Sequence, residues 1–328
     1  MPATVQPERI LRDLTELWHN LASAEGKPTA SGVLRACSMT LIVAADDPGD
    51  AVEVEQTLAE LMHEHPSRAI VLKPGPSGDG LDARVFAQCW MPFGSRQQIC
   101  CEEIEITTPE DSLEQASRVI LGLLTPDLPA VLWVRGDHWF DRAGFEQLYP
   151  LIDKIVVDSC SFGNGARAFE LIDALRTKGP LVADLAWTRL TGWRETIANS
   201  LEGPGAKMIG SVREIVVDHY KESPAVSVYY LAAWLAGAFQ DASVRFERVE
   251  GTEGQIAGVR LRGDGVDVGF RRLDGDAIQV TGTTSIATLL LPHATDSRSM
   301  QEELTIRGRD PVFEAVYRRT GQLRLQVS

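Results

Sequence analysis

Metal-ligating and nucleophile-activating residue types are scarce in this chain. Among 328 residues there are six histidines and five cysteines, and Cys37, Cys89, Cys100, Cys101 and Cys160 form no C-x-x-C pair. His63 and His65 stand two apart, too close to share a helical face, and H-E-x-x-H is absent, so no metal site is expected. A lone His138 beside Trp139 reads as a packed or solvated ring. Neither G-x-x-x-x-G-K-[ST] nor G-x-S-x-G occurs, which removes the common phosphate loop and the nucleophile elbow. Positive charge is short as well: 32 Lys and Arg stand against 46 Asp and Glu, a formal net charge of −14. A binder that follows nucleic-acid phosphates needs the opposite balance, so no nucleic-acid partner is expected. No apolar run reaches the roughly 18 residues of a membrane span. The first residues, M-P-A-T-V-Q-P-E-R, lack a basic region followed by an apolar core. The expectation is a cytoplasmic protein with reduced thiols, no membrane association, no metal and no cofactor. No internal repeat or low-complexity tract is visible.

A hydrophobic fraction of 44% and a charged fraction of 24% are ordinary for a globular protein. The length suggests two domains, and the patterning supports a division at residues 1–203 and 204–328. Ile10, Leu11, Leu14, Leu17, Trp18 and Leu21 make an amphipathic helix. A strand over Leu34–Ala45 ends in the apolar run Leu41-Ile42-Val43-Ala44-Ala45. A helix over Val52–His63 and a strand over Arg68–Leu72 follow. Val85–Trp90 and Ile99–Ile106 have no helix between them and read as an antiparallel pair joined through Pro92–Arg96. Helices over Leu113–Leu124, Arg142–Leu151 and Ala166–Thr177 then alternate with strands over Ala130–Val134 and Lys154–Val157. Strands alternating with helices imply a mostly parallel, Rossmann-like sheet flanked by helices, giving an α/β fold. After residue 204 a strand over Ser211–Val217 and an apolar helix over Val226–Phe239 lead into four short segments from Val244 to Val280. These are separated by Gly-Asp turns, which signals a smaller α+β domain with an antiparallel meander. Helices near Ser299–Arg307 and Pro311–Arg319 finish the pattern.

Two stretches invite a functional reading. Gly163-Asn164-Gly165-Ala166-Arg167-Ala168 has the G-x-G-x-x-A form of a dinucleotide turn, with Asp184 about twenty residues on as the ribose acid. Asp158 to Phe162 intervene between strand and first glycine, however, so the helix start is displaced from the strand end. Four apolar runs also end in aspartate, at Asp46, Asp137, Asp158 and Asp184. Ligands of such sheets sit beyond the carboxyl ends of the strands. A nucleotide or sugar-phosphate site there would draw on Ser67, Arg68, Asp158, Ser159 and Asp184; the simpler account is that the aspartates cap turns and helices.

The other stretch, Asp184–Glu195, reads D-L-A-W-T-R-L-T-G-W-R-E and holds two tryptophans, two arginines, two threonines and two carboxylates. Trp187, Leu190, Arg194, Ile197 and Leu201 recur at helical spacing. Thr188 or Thr191 is placed to cap the helix start, and Gly203-Pro204-Gly205 to close it. Tryptophan and arginine are the types most enriched at interface hot spots, which makes Trp187, Arg189, Trp193 and Arg194 candidate partner contacts. The competing reading packs both indoles in the core and pairs the arginines with Asp184 and Glu195.

This segment, with His65-Pro66-Ser67-Arg68, Thr125-Pro126-Asp127-Leu128-Pro129, Ile155-Val156-Val157-Asp158-Ser159, Tyr230–Ala236, Glu302-Glu303-Leu304 and Gly308–Glu314, resembles the OpcA family, the glucose-6-phosphate dehydrogenase assembly proteins. The resemblance spans most of the chain. It implies a non-catalytic protein that binds glucose-6-phosphate dehydrogenase and promotes its assembly or active state, at the entry to the oxidative pentose phosphate pathway. The Gly163–Gly165 loop is not part of the family pattern, which weakens the dinucleotide reading. Some cyanobacterial members are associated with cysteine-based redox control, and this chain has no cysteine after Cys160.

Overall fold

Strands buried on both faces need continuous apolar runs, and Met39–Ala44 supplies one: every residue of this strand is buried. It lies at the middle of an eight-stranded sheet. The computed structural model describes residues 5–24, 33–47, 49–76, 80–92, 98–202, 210–251, 254–282 and 285–327. They divide into two compact units, Met1–Asp184 and Leu185–Ser328. The division thus falls after Asp184, where the sequence pattern placed it after residue 203. Asp184 is the last residue of a strand, and the chain from Leu185 packs on helices of the second unit.

The first unit runs α1 (Pro7–Ala24), β1 (Val33–Arg35), β2 (Met39–Ala44), α2 (Asp50–Leu61), β3 (Ser67–Pro74), β4 (Asp82–Trp90), β5 (Gln98–Thr108), α3 (Leu113–Leu123), β6 (Ala130–Val134), two 3-10 helices (Asp137–Asp141 and Phe145–Leu151), β7 (Lys154–Val157), α4 (Gly165–Arg176) and β8 (Leu181–Asp184). The order β1-β5-β3-β2-β6-β7-β8 is parallel throughout, with β4 antiparallel on β5. The mostly parallel α/β sheet expected from the alternation is therefore present, as is the antiparallel pair. Its connection through Pro92–Arg96 lies largely outside the described residues.

Three expectations are corrected here. The strand expected over Leu34–Ala45 is two strands, because β1 pairs with β5 while β2 pairs with β3 and β6. The helix expected over Arg142–Leu151 is replaced by 3-10 turns. Pro150 lies inside the second of them. Its N-cap, Gly144, takes φ +92, and a Cβ there would meet the Glu114 Cα at 2.8 Å, so the backbone leaves the α path at a point only glycine fills. The third correction concerns the thiols. Cys89 and Cys100 are direct cross-strand partners of β4 and β5, with Cα atoms 4.1 Å apart, and they form a disulfide. Cys101 is buried, which pushes its thiol up to about 11, while Cys37 and Cys160 are half-buried. Thiol titration is expected to find three reactive cysteines after unfolding without reductant and all five after reduction. Five before reduction would contradict the bridge.

The second unit runs α5 (Leu185–Thr188), α6 (Thr191–Ser200), β9 (Val212–His219), α7 (Val226–Ala238), β10 (Ser243–Arg248), β11 (Ile256–Gly263), β12 (Val266–Leu273), β13 (Ala277–Thr281), β14 (Ile286–Leu290), α8 (Asp296–Thr305) and α9 (Pro311–Val327). The sheet order is β10-β9-β11-β12-β13-β14. From β9 through β14 the pairing is antiparallel, with Gly265 and Gly275 at φ +73 in the hairpin turns. β10 departs from the expected meander. It pairs parallel with β9, because α7 intervenes and returns the chain to the same end of the sheet. α7 and α9 pack together, with Tyr230, Phe313 and Tyr317 in mutual ring contact. β14 has no counterpart in the pattern read from the sequence.

Candidate functional site

The segment rich in tryptophan and arginine is a clasp within the second unit. Its single expected helix is broken into α5 and α6, and the cap of α6 is Leu190 with no side-chain hydrogen bond. The threonine hydroxyls go elsewhere: Thr188 Oγ1 donates to Glu303 at 3.0 Å and Thr191 Oγ1 to Glu302 at 2.7 Å. Trp187 Nε1 donates to Asp310 Oδ2 at 3.0 Å, and Arg189 pairs with Asp296 at 2.6 Å. Four polar groups within the five residues Trp187–Thr191 thus meet four carboxylates, three from α8 and Asp310 just before α9. Asp310 also accepts from the backbone N–H groups of Val312 and Phe313 through its other oxygen, so it caps α9. The expected closure at Gly203-Pro204-Gly205 lies outside the described residues.

Both indoles are withdrawn from solvent, Trp187 at 3% and Trp193 at 4% exposure. Trp187 stacks on Phe313, with ring centroids 6.0 Å apart, and carries the Arg194 guanidinium 3.8 Å from its own centroid. Arg194 Nη2 donates to Thr191 Oγ1, its Nε is buried without a partner, and burial lowers its pKa against the pull of Glu302 and Asp310. Arg189 is paired with Asp296, an acid that the core reading did not name. Asp296, Glu302, Glu303 and Asp310 were not legible as partners. They sit more than a hundred residues downstream, and the one sequence signal was that Glu302, Glu303 and Asp310 fall in motifs of the family resemblance, with nothing to tie those motifs to Asp184–Glu195.

The remaining sequence candidates fall at opposite ends of the first unit's sheet. Asp158 and Asp184 stand at or just beyond the carboxyl ends of β7 and β8, and Ser159 N–H donates to Asp184 Oδ1 at 3.1 Å. Ser67 and Arg68 open β3, in register with the first residues of β2, and so lie at the amino edge. The five residues do not converge on one site. At the carboxyl edge the other acids are also engaged: Asp46 with His138 Nδ1 at 3.1 Å, Asp50 with Arg135, and Asp137 and Asp141 with Arg167. Burial, aided by Arg142, lowers the pKa of His138 against the pull of Asp46 and Asp137. α4 begins behind an Asn164 cap whose side chain accepts from Ala166 N–H, and a Cβ on Gly163 would meet nothing within 4 Å. No close approach at Gly163 requires glycine.

At the amino edge Arg68 serves the core. Its Nε bonds Glu102 Oε2 at 2.7 Å and its Nη1 the Leu123 carbonyl at 2.7 Å, while Glu102 Oε1 takes Trp18 Nε1–H and Arg35. The next residue, Glu103, is turned to the opposite face and is 3% exposed, held by Gln88 Nε2 at 2.7 Å. Burial raises its pKa above the usual 4.5, reinforced by Glu55 and Glu105 and opposed by Gln88 and Lys73. A raised carboxyl binds its proton more tightly folded than unfolded. Its destabilising charge therefore develops as pH rises above the unfolded value, and stability falls across that window. Glu103→Gln is expected to raise the unfolding midpoint at pH 7, with the gain shrinking as pH falls from the raised folded value toward 4.5 and gone below it. A gain independent of pH would point to packing instead.

Taken by its fold, the molecule is a two-unit α/β protein whose most distinctive segment knits helices together, with no assembled group of catalytic side chains among the sequence candidates. Two sequence models of one family match it in series: one described as the glucose-6-phosphate dehydrogenase subunit N-terminal domain, over residues 58–174, and one as the C-terminal domain, over residues 180–317. The chain belongs to the OpcA glucose-6-phosphate dehydrogenase assembly family. It is similar to a protein named "Putative OxPP cycle protein OpcA" from Synechocystis sp., 32% identical over 187 residues that cover 56% of this chain and 39% of that one. A protein of the same name from Nostoc punctiforme is 30% identical over 197 residues, 58% of this chain and 42% of that one. The matched region therefore spans less than half the length of these relatives. Among solved structures, a biliverdin reductase from Synechocystis sp. is 12% identical with a TM-score of 0.49, covering 88% of this chain and 98% of that one. That likeness is too distant to bear on function. No helix among the described residues is long and apolar enough to cross a membrane.

Proposed function

We propose that this chain binds glucose-6-phosphate dehydrogenase and promotes its assembly or active state, catalysing no reaction itself. The observation that supports this most directly is the tandem family match, one dehydrogenase-subunit model for most of each unit. The engagement of the carboxyl-edge acids in internal pairs fits the same reading. Trp187 and Arg189 contribute by fixing α8 and α9 as a rigid surface for the dehydrogenase, since they are bonded to Asp310 and Asp296, while Arg194 holds Thr191 and stacks on Trp187, and Trp193 is buried. The test is to titrate the purified chain onto its cognate dehydrogenase. The expected result is co-elution and a change in kcat or KM of the dehydrogenase. No complex and unchanged kinetics would sink the proposal.

A further inference from the structure

The outer edge of the second unit's sheet carries an unguarded apolar strand. Every residue of β14, Ile286-Ala287-Thr288-Leu289-Leu290, is exposed, with Ile286 at 70%, Leu289 at 41% and Leu290 at 79%. Edges of this kind are ordinarily protected by charge, proline, a bulge or a covering element. β14 has no charge, no proline and no register shift against β13. The hydrogen-bond phase is set at both ends: Leu291 N–H donates to Asp276 O at 2.9 Å and Gly282 N–H to Ser285 O at 2.8 Å. Alternation along the strand then turns Ala287 and Leu289 toward β13. It leaves the N–H and C=O groups of Ile286, Thr288 and Leu290 aimed outward, where no described residue meets them.

We propose that β14 pairs antiparallel with β14 of a second copy of this chain, joining two six-stranded sheets into one of twelve. The strand fits itself about a two-fold axis through Thr288. On one face Ile286 lies opposite Leu290 of the second copy and Leu290 opposite Ile286, with the two Thr288 side chains between them. On the other face each Ala287 lies opposite Leu289, small against large. The outward groups of Ile286, Thr288 and Leu290 fall in the phase that such a pairing needs, as an isologous contact requires. Chains of net charge −14 repel at long range, and an uncharged strand is the place where two copies meet without adding to that repulsion. A five-residue pairing is a small interface, so dissociation is expected on the order of 1–100 µM.

Sedimentation equilibrium of the full chain tests this. The mass is expected to rise with concentration from 35.9 kDa toward twice that value. Thr288→Pro removes an outward donor without touching the β13 ladder, and Leu290→Lys places charge in the pairing. Each is expected to weaken association at least tenfold with unfolding midpoint unchanged. Should Thr288→Pro unfold, Leu290→Lys carries the test alone. Thr288→Cys is expected to give an oxidant-dependent covalent dimer, because only the proposed register sets residue 288 against itself. A chain that stays monomeric at several hundred micromolar, a dimer indifferent to Leu290→Lys, or a dimer that Thr288→Cys fails to cross-link would overturn the proposal. So would a monomeric chain whose Leu290→Lys variant loses only its complex with the dehydrogenase, since the edge would then serve that partner.

Discussion

Glu102→Ala is expected to lower the stability of the N-terminal unit by about 3–5 kcal/mol, the usual cost of leaving a buried charge without its partner. Glu102 and Arg68 expose only 3% and 8% of their side chains. Removing the carboxylate strands the Arg68 guanidinium and leaves Trp18 Nε1–H without its acceptor. The Leu123 carbonyl, which Arg68 also bonds, does not neutralise the charge. Denaturant unfolding followed by far-ultraviolet circular dichroism measures the effect. A double variant, Glu102→Leu with Arg68→Met, is expected to recover most of the loss, because a buried pair replaced by apolar groups of similar volume is often neutral. A loss below about 1 kcal/mol in the single variant would show that water reaches the pair.

Trp187→Ala is expected to cost a similar amount, about 3–5 kcal/mol, since it empties a large volume from the core of the C-terminal unit. It also removes the Phe313 stack, the Arg194 contact and the bond to Asp310. Trp187→Phe keeps an aromatic ring against Phe313 and loses the indole N–H, at about 1–3 kcal/mol. If both variants bind the dehydrogenase normally wherever they remain folded, the segment acts through structure. A Trp187→Phe protein with wild-type stability and no binding would instead make the indole a direct contact.

How far the sequence could be read depended on whether a residue's fate was settled locally. Leu41–Ala45 and Ala130–Val134 announced strands buried on both faces, and Gly-Asp dipeptides marked the hairpins that Gly265 and Gly275 close. The 3-10 turns were hidden, because Phe145, Leu148 and Tyr149 keep near-helical spacing while Gly144 and Pro150 break the ladder. β14 was hidden for the opposite reason: with both faces exposed, nothing forces it to alternate. The antiparallel pairing of β4 and β5 was legible. The register that sets Cys89 against Cys100 was not, since a shift of one residue would have put them on opposite faces. Family resemblance singled out Asp184–Glu195, Glu302-Glu303 and Asp310 as separate motifs. Only the fold unites them.

Asp310 carries a consequence for what its position tolerates. One oxygen accepts two backbone N–H groups at the head of α9, and the other accepts the indole N–H of Trp187. Asparagine has the same shape and is a good cap, yet its amide offers one acceptor and one donor. If its oxygen keeps the cap, its NH2 faces the indole N–H, donor against donor. If it turns over, the helix start loses its acceptor. Position 310 therefore asks for a short side chain that accepts on both sides, and at this length aspartate alone is built that way.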